Sequence, residues 1–521
     1  MSEKRSFYLT TPIYYVNSVP HLGTAYTTIA ADTLARYRRL RGDDVFFLTG
    51  LDEHGQKVEQ AATENGVSPI EWADRMAAKF HETWEMLDIT NDDFIRTTEP
   101  RHEHGVQEFL RVIHERGDIY KGVYEGWYCV PCETYFTEEQ LHEGHTCPQC
   151  GRHVEFVRED NYFFKLSAYQ DRLLEYYESH PDFVQPATRR NEVLSFVRGG
   201  LNDLSISRAN VKWGIPLSFD ESHTVYVWFD ALINYITAVG YGDPERAEQF
   251  ARRWPAQIHF VGKDIIRFHC VIWPAMLMAA DMDIPQRVFA HGFLLTKGEK
   301  MSKSKGNAMA PADLVERFGV DAYRYYFLRE VQFGTDGSIS LENMVQRYNG
   351  DLANDWGNLV SRLFNMVGKY CGGNVPDPLE SPELTEQDEE LKRIAAGLFE
   401  GVDARMAVLD YAGALEASWE LIKRTNRYIE DSAPWGLAKS EETAPRLHAV
   451  LYQALEAVRI AALYTAPFMP NTSCEVFARL GLGDPSAIDD LRAASTWGGL
   501  PVGNPVVKGD ALFQRIVEDA E

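Results

Sequence analysis

The feature that most restricts the fold is an alternation of strand-like and helix-like stretches that stops near residue 120 and starts again near residue 225. The strand-like Phe7-Tyr8-Leu9-Thr10 leads to a helical stretch from about His21 to Arg41, closed by Gly42, and then to the apolar run Val45-Phe46-Phe47-Leu48. Strand, helix and fully apolar strand in that order build a parallel α/β unit with both sheet faces covered. Ser68-Pro69 with Glu71 opens a further helix through a capping box with proline at its first position, and the pattern from His102 to Arg116 ends at Gly117. From about Tyr120 to Pro216 the alternation gives way to cysteine pairs, aromatic strands and short turns, and it resumes at Val225 and at Ile258-His259-Phe260-Val261. An insertion that splits one nucleotide-binding sheet accounts for this interruption.

A chain of 521 residues is too long for one core. From about Leu341 onward long amphipathic patterns replace the strands, without a recurring period, and predict an α-helical bundle. The expected division is 1–118 and 223–311 for the two halves of a parallel α/β domain, 119–222 for the insertion, 312–345 for a linking segment and 346–521 for the bundle. The acidic, proline-containing stretch from Pro376 to Glu390 reads as a surface connection between helices.

Composition removes several classes of function. No apolar run approaches the roughly 18 residues of a membrane span, and the charged N-terminus lacks a signal core, which predicts a cytoplasmic protein without a membrane partner. The net charge of −25 excludes a chain-wide electrostatic grip on nucleic acid, so RNA contact has to use local patches. Arg36, Arg38, Arg39 and Arg41 on one helix and Lys423, Arg424 and Arg427 on another are candidates, and each set also reads as a solvated helix face.

Seven cysteines do not make a disulfide scaffold, but four fall into pairs, Cys129-x2-Cys132 and Cys147-x2-Cys150, with 14 residues between. This spacing predicts one structural zinc held by four thiolates, which leaves no open position for water and so holds the insertion together. His142, His145 and His153 lie close enough in sequence to replace a cysteine.

Two short segments carry the chemistry. Pro20-His21-Leu22-Gly23-Thr24 follows the first strand and opens a helix, where backbone N–H groups and the helix dipole favour phosphate, Gly23 permits close approach and His21 can donate to a phosphoryl oxygen. Far downstream, Lys300-Met301-Ser302-Lys303-Ser304 offers mobile positive charge for leaving pyrophosphate. Together they resemble the two signatures of class I aminoacyl-tRNA synthetases, which implies a Rossmann-type parallel sheet, here split by the zinc-bearing insertion, with Thr24 where many members have a second histidine. That resemblance implies ATP binding by His21, Gly23, Thr24, Lys300, Ser302 and Lys303, with catalytic parts for His21, Lys300 and Lys303 and magnesium entering with ATP. A hydroxyl in place of the second imidazole predicts a rearranged ATP contact at Thr24.

Along nearly its whole length the chain resembles the methionyl branch of that family. The resemblance implies a methionine pocket of Ile13, Tyr15, Asp52, Trp228, Leu232, Tyr235, Ile265 and His269, with Asp52 holding the substrate ammonium. Trp228, Leu232 and Tyr235 recur at i, i+4, i+7, and Ile265, His269 and Trp273 at i, i+4, i+8, so each set shares a helical face; from periodicity alone such faces are plain core. Aromatic and aliphatic walls suit a polarizable thioether. In the bundle, Asn358, Arg362 and Trp435 resemble anticodon readers, since amide and guanidinium groups read base edges and an indole offers a stacking face. ATP, L-methionine and tRNA are thus the partners implied. The segment Leu512-Phe513-Gln514-Arg515-Ile516 looks like the end of shorter family members, which predicts a monomer.

Overall fold

The computed structural model describes residues 4–129, 134–136, 138–142, 144–148, 150–296, 299–300, 310–378 and 384–517. Its centre is a six-stranded, all-parallel sheet of β1 (Ser6–Tyr15), β2 (Asp44–Asp52), β3 (Asp93–Arg96), β4 (Val184–Gln185), β5 (Ile258–Gly262) and β6 (Val288–His291), in the spatial order β3-β2-β1-β5-β6-β4. Alternate residues of β1 serve two cores: Phe7 and Leu9 pack on one face of the sheet and Tyr8 on the other. The order reverses between β1 and β5, and in open sheets of this kind the crevice at the carboxyl ends of such neighbours is where ligands bind.

Two local features shape that crevice. The β1–β2 pairing slips between Thr10 and Ile13, at Pro12, which has no N–H to give the ladder; beyond the slip Ile13, Tyr14 and Tyr15 pair with Gly50, Leu51 and Asp52. Helix α1 (Leu22–Leu40) then starts at the carboxyl end of β1 with His21 as its N-cap, and Gly42, at φ 86°, follows its end. Helix α2 (Pro100–Glu115) begins two residues before the His102 start predicted from periodicity, with Pro100 in its first turn.

The segment expected as an insertion divides into two parts. Strands Ile119–Cys129 and Glu155–Phe164 form a long antiparallel pair that carries the cysteine knuckle. Residues beyond it, among them Leu173, Val193 and Val197, pack in the sheet's own core, and β4 is its edge strand. Helix α3 (Val227–Thr237) precedes β5. After β6, strand Leu294–Thr296 pairs antiparallel with Glu299–Lys300 and parallel with Gly337–Ile339, which ties the base of the lysine loop to the linking segment.

The remainder is helical: α4 (Val320–Glu330), α5 (Asn358–Tyr370), α6 (Glu386–Ala407), α7 (Tyr411–Ser432), α8 (Ala444–Thr465) and α9 (Pro470–Arg479). The bundle and the α1 side of the sheet share one continuous core. At the junction Arg324 of α4 is fully buried and donates to Asp32 of α1 at 2.6 Å, to the Leu87 carbonyl at 3.1 Å, and to the carbonyls of Pro467 and Phe468 at 3.0 and 3.1 Å. Among the described residues no helix is long and apolar enough to cross a membrane.

Candidate active site

A cavity of about 570 Å³ opens at the sheet's switch point, lined by Ile13, Tyr15, His21, Gly23, Thr24 and Thr27 on one side and Trp228, Asp264, Ile265, His291 and Phe293 on the other. Part of each predicted set lines this one space: His21, Gly23 and Thr24 of the nucleotide contacts, and Ile13, Tyr15, Trp228 and Ile265 of the side-chain contacts.

The signature segment is arranged differently from the expectation. His21 Nδ1 accepts from the Gly23 and Thr24 amides at 3.0 and 3.3 Å, so these N–H groups cap their own helix and are not presented to phosphate. With Nδ1 accepting, a neutral ring carries its proton on Nε2. Thr24 Oγ1 accepts from the His21 amide at 2.9 Å and lies 2.7 Å from the His21 carbonyl, completing the reciprocal capping box. The Thr24 hydroxyl is thus turned to the backbone. A Cβ on Gly23 would sit 3.0 Å from the His21 ring, so glycine is what lets the imidazole fold back.

Of the expected methionine residues, Ile13, Tyr15, Trp228 and Ile265 line the cavity, and Trp228 stacks on Phe268 at 3.9 Å with 12° between the planes. Asp52, Leu232, Tyr235 and His269 are buried and do not line it. Tyr235 donates to His269 Nε2 at 2.7 Å and His269 Nδ1 donates to the Ile265 carbonyl at 3.0 Å, which fixes the neutral tautomer. Burial, partly offset by the Ile265 carbonyl, lowers the His269 pKa to about 4. Asp52 pairs with Tyr15 across β1 and β2 and lies near enough to Tyr235 for its charge to add to burial in raising the phenol's pKa. The stretch holding Ile265, His269 and Trp273 is not one regular α-helix: a tight turn at Lys263–Ile265 passes into a wide π-turn at Phe268–Ile272 before the α-helix Trp273–Ala280.

Several lining residues carry no local pattern. Thr27 on α1 lies 2.6 Å from His291 Nε2, while His291 Nδ1 donates to the Gly292 carbonyl at 2.8 Å, so helix and β6 are pinned across the cavity. Gly292 tolerates no side chain, because a Cβ there would meet the Thr335 carbonyl carbon at 2.2 Å. The one available signal is the His291-Gly292 pair directly after the apolar run Val288-Phe289-Ala290. Behind the cavity, Asp230 bonds His54 and His102, three positions to which sequence reasoning gave no role. Ser302 and Lys303 lie outside the described residues, as does the side chain of Lys300, whose backbone ends the short strand Glu299–Lys300.

In the knuckle, the sulfurs of Cys129, Cys147 and Cys150 lie within 4.8 Å of one another, and Cys129 and Cys150 are 3.6 Å apart. That is far beyond a disulfide's roughly 2.05 Å. It is close to the edge of about 3.8 Å expected for a tetrahedron with Zn–S bonds of about 2.3 Å. Cys132 lies outside the described residues. His145, weighed as a substitute ligand, instead stacks on Trp127 at 4.2 Å.

The early basic patch is spent on intramolecular pairs: Arg36 with Asp32, Arg38 with Asp43, Arg39 with Asp92 and Arg41 with Asp403. It offers RNA little. In the bundle, Asn358 is exposed on α5, Trp435 is 46% exposed just after α7, and Arg362 reaches Glu430 at 3.6 Å. The Nε and Nη2 atoms of Arg362 are buried and have no hydrogen-bond partner among the described residues.

Comparison with known proteins places this geometry. A family model described as tRNA synthetases class I (M) matches residues 7–364, and one described as the anticodon binding domain of methionyl tRNA ligase matches residues 380–521. A methionine–tRNA ligase of Caldanaerobacter subterraneus subsp. tengcongensis is 50% identical, covering 99% of this chain and 80% of that protein. One of Streptomyces coelicolor is 48% identical over 99% of this chain and 97% of its own length. The solved structure of Mycobacterium tuberculosis methionyl-tRNA synthetase in complex with methionyl-adenylate superposes with a TM-score of 0.93 at 45% identity, covering 98% of this chain and all of that one.

Proposed function

The chain belongs to the class I methionyl-tRNA synthetases, ligases that activate methionine with ATP and load it onto tRNA, and we propose that the cavity at the switch point is where both steps occur. The observation that carries this reading is that the capped signature helix and the aromatic wall of Trp228 meet in one space. Ile13, Tyr15, Trp228 and Ile265 enclose the thioether, Leu232, Tyr235 and His269 support them from behind, and Asp52 faces the ammonium.

In the first step the substrate carboxylate, already ionised, attacks the α-phosphorus of ATP in line, and the bond to the leaving pyrophosphate breaks. No general base is required, so catalysis rests on positioning and on charge stabilisation. His21 Nε2–H donates to a phosphoryl oxygen, the α1 dipole adds to it, and Gly23 and Thr24 hold that imidazole in place. Lys300, Ser302 and Lys303 gather the pyrophosphate. ATP brings magnesium with it as part of the substrate. In the second step a terminal ribose hydroxyl of tRNA attacks the activated carbonyl, the bond to AMP breaks, and the hydroxyl proton leaves with the AMP phosphate.

Asn358, Arg362 and Trp435 form the anticodon subsite, supported by the unsatisfied nitrogens of Arg362 and the exposed indole. A zinc ion held by Cys129, Cys132, Cys147 and Cys150 supplies structure to the inserted hairpin, and residues 1–118 with 223–311 carry the chemistry. The experiment is ATP–pyrophosphate exchange with each of the twenty amino acids in turn. Exchange with methionine alone supports the pocket, exchange with another amino acid overturns its assignment, and none with any overturns the reaction.

A further inference from the structure

Behind the cavity, three buried groups from three distant segments meet without lining it. Asp230 Oδ2 accepts from His54 Nδ1 at 2.7 Å, and Oδ1 accepts from His102 Nε2 at 2.7 Å. The other nitrogen of His102 lies 2.8 Å from Thr237 Oγ1. Burial alone would raise the Asp230 pKa, but the two imidazoles outweigh it and hold the carboxylate below its ordinary range.

The placement of these bonds matters more than their number. His54 follows Asp52 by two residues at the end of β2, and Asp230 follows Trp228 by two residues in α3. His102 of α2 grips α3 at Asp230 and again at Thr237, two turns further along. At about 100° per residue, Trp228 and Asp230 point to opposite sides of α3, so a roll that shifts one shifts the other. A roll of about 10° would move the indole by roughly 1 Å, enough to matter in a site that works by positioning.

We propose that Asp230 is a positioning residue for the amino-acid subsite, fixing through His54 and His102 the spacing and roll that set Trp228 against Asp52. The proposal rests on reading the cavity as the methionine site. It assigns the network to recognition of the amino acid and not to the handling of phosphate, which a purely structural role would not distinguish.

The test is a split of kinetic constants in pyrophosphate exchange. Asp230→Asn and His54→Ala should raise the methionine KM by about tenfold or more while the ATP KM stays within about twofold. His54→Asn, whose amide nitrogen takes the place of Nδ1, should hold the methionine KM within about threefold of the parent. Should Asp230→Asn fail to fold, the His54 pair still decides, because the Asp230–His102 bond remains. A folded His54→Ala protein with unchanged methionine KM, or with both KM values raised alike, overturns the proposal. Parent protein that exchanges with no amino acid overturns the reading beneath it.

Discussion

His269 sits behind the cavity with both ring nitrogens engaged and its proton affinity lowered by burial, so a residue proposed to support the methionine pocket also ties stability to pH. Its ordinary pKa is 6.5 and its native value about 4. Between those values the unfolded chain takes up a proton that the native ring refuses. Native stability is therefore fully present above about pH 6.5 and falls as pH drops towards 4, with a loss of at most about 3 kcal/mol from this residue. Urea unfolding at pH 7 and pH 5 should show this fall, and His269→Gln, which keeps an acceptor for Tyr235, should flatten it; an equal slope in the variant contradicts the assignment. His259 and His291, also lowered by burial, add to the slope with the same sign and survive in the variant as a residual.

Among the elements, the inserted hairpin and the turn after α7 are proposed to carry separable parts of the function. Metal analysis should find one zinc per chain, and Cys147→Ser should abolish stoichiometric zinc and lower tRNA charging more than pyrophosphate exchange; full metal content in that variant removes Cys147 from the site. Trp435→Ala, at an exposed position, should weaken charging about tenfold or more and leave exchange nearly unchanged. Equal loss of both would point to misfolding. Elements with strong end signals were legible from the sequence: α1, expected from about His21 to Arg41, runs from Leu22 to Leu40 with Gly42 just past its end, and the helix from Pro69 shows the capping box of Ser68 and Glu71. What depends on distant partners was not. Strand β4 is two residues long and exists only because Val288 and Phe289 lie beside it. The arginines of α1 read as a surface patch because Asp92 and Asp403 are remote in sequence. His54, His102 and Asp230 come from three segments, and no local spacing joins them.

At the scale of the whole molecule, the buried pair of Arg324 and Asp32 ties the signature helix to the bundle that is proposed to read the anticodon. Burial would raise the Asp32 pKa, but Arg36 and Arg324 hold it well below the usual carboxylate range. Arg324→Met leaves that charge buried with one partner fewer and should cost about 3–5 kcal/mol in unfolding experiments, whereas the double replacement with Asp32→Leu should cost markedly less. Equal losses would mean that packing and the carbonyl bonds, not the charge, dominate the junction. The central claim joins both halves of the chain in one reaction, so the most direct measurement is charging: purified protein, ATP with magnesium, labelled methionine and a mixed tRNA pool, with the acceptor then identified. Methionine esterified to the methionine-accepting tRNA is the predicted result. Methionyl-adenylate without transfer, or a different amino acid on tRNA, would contradict the account.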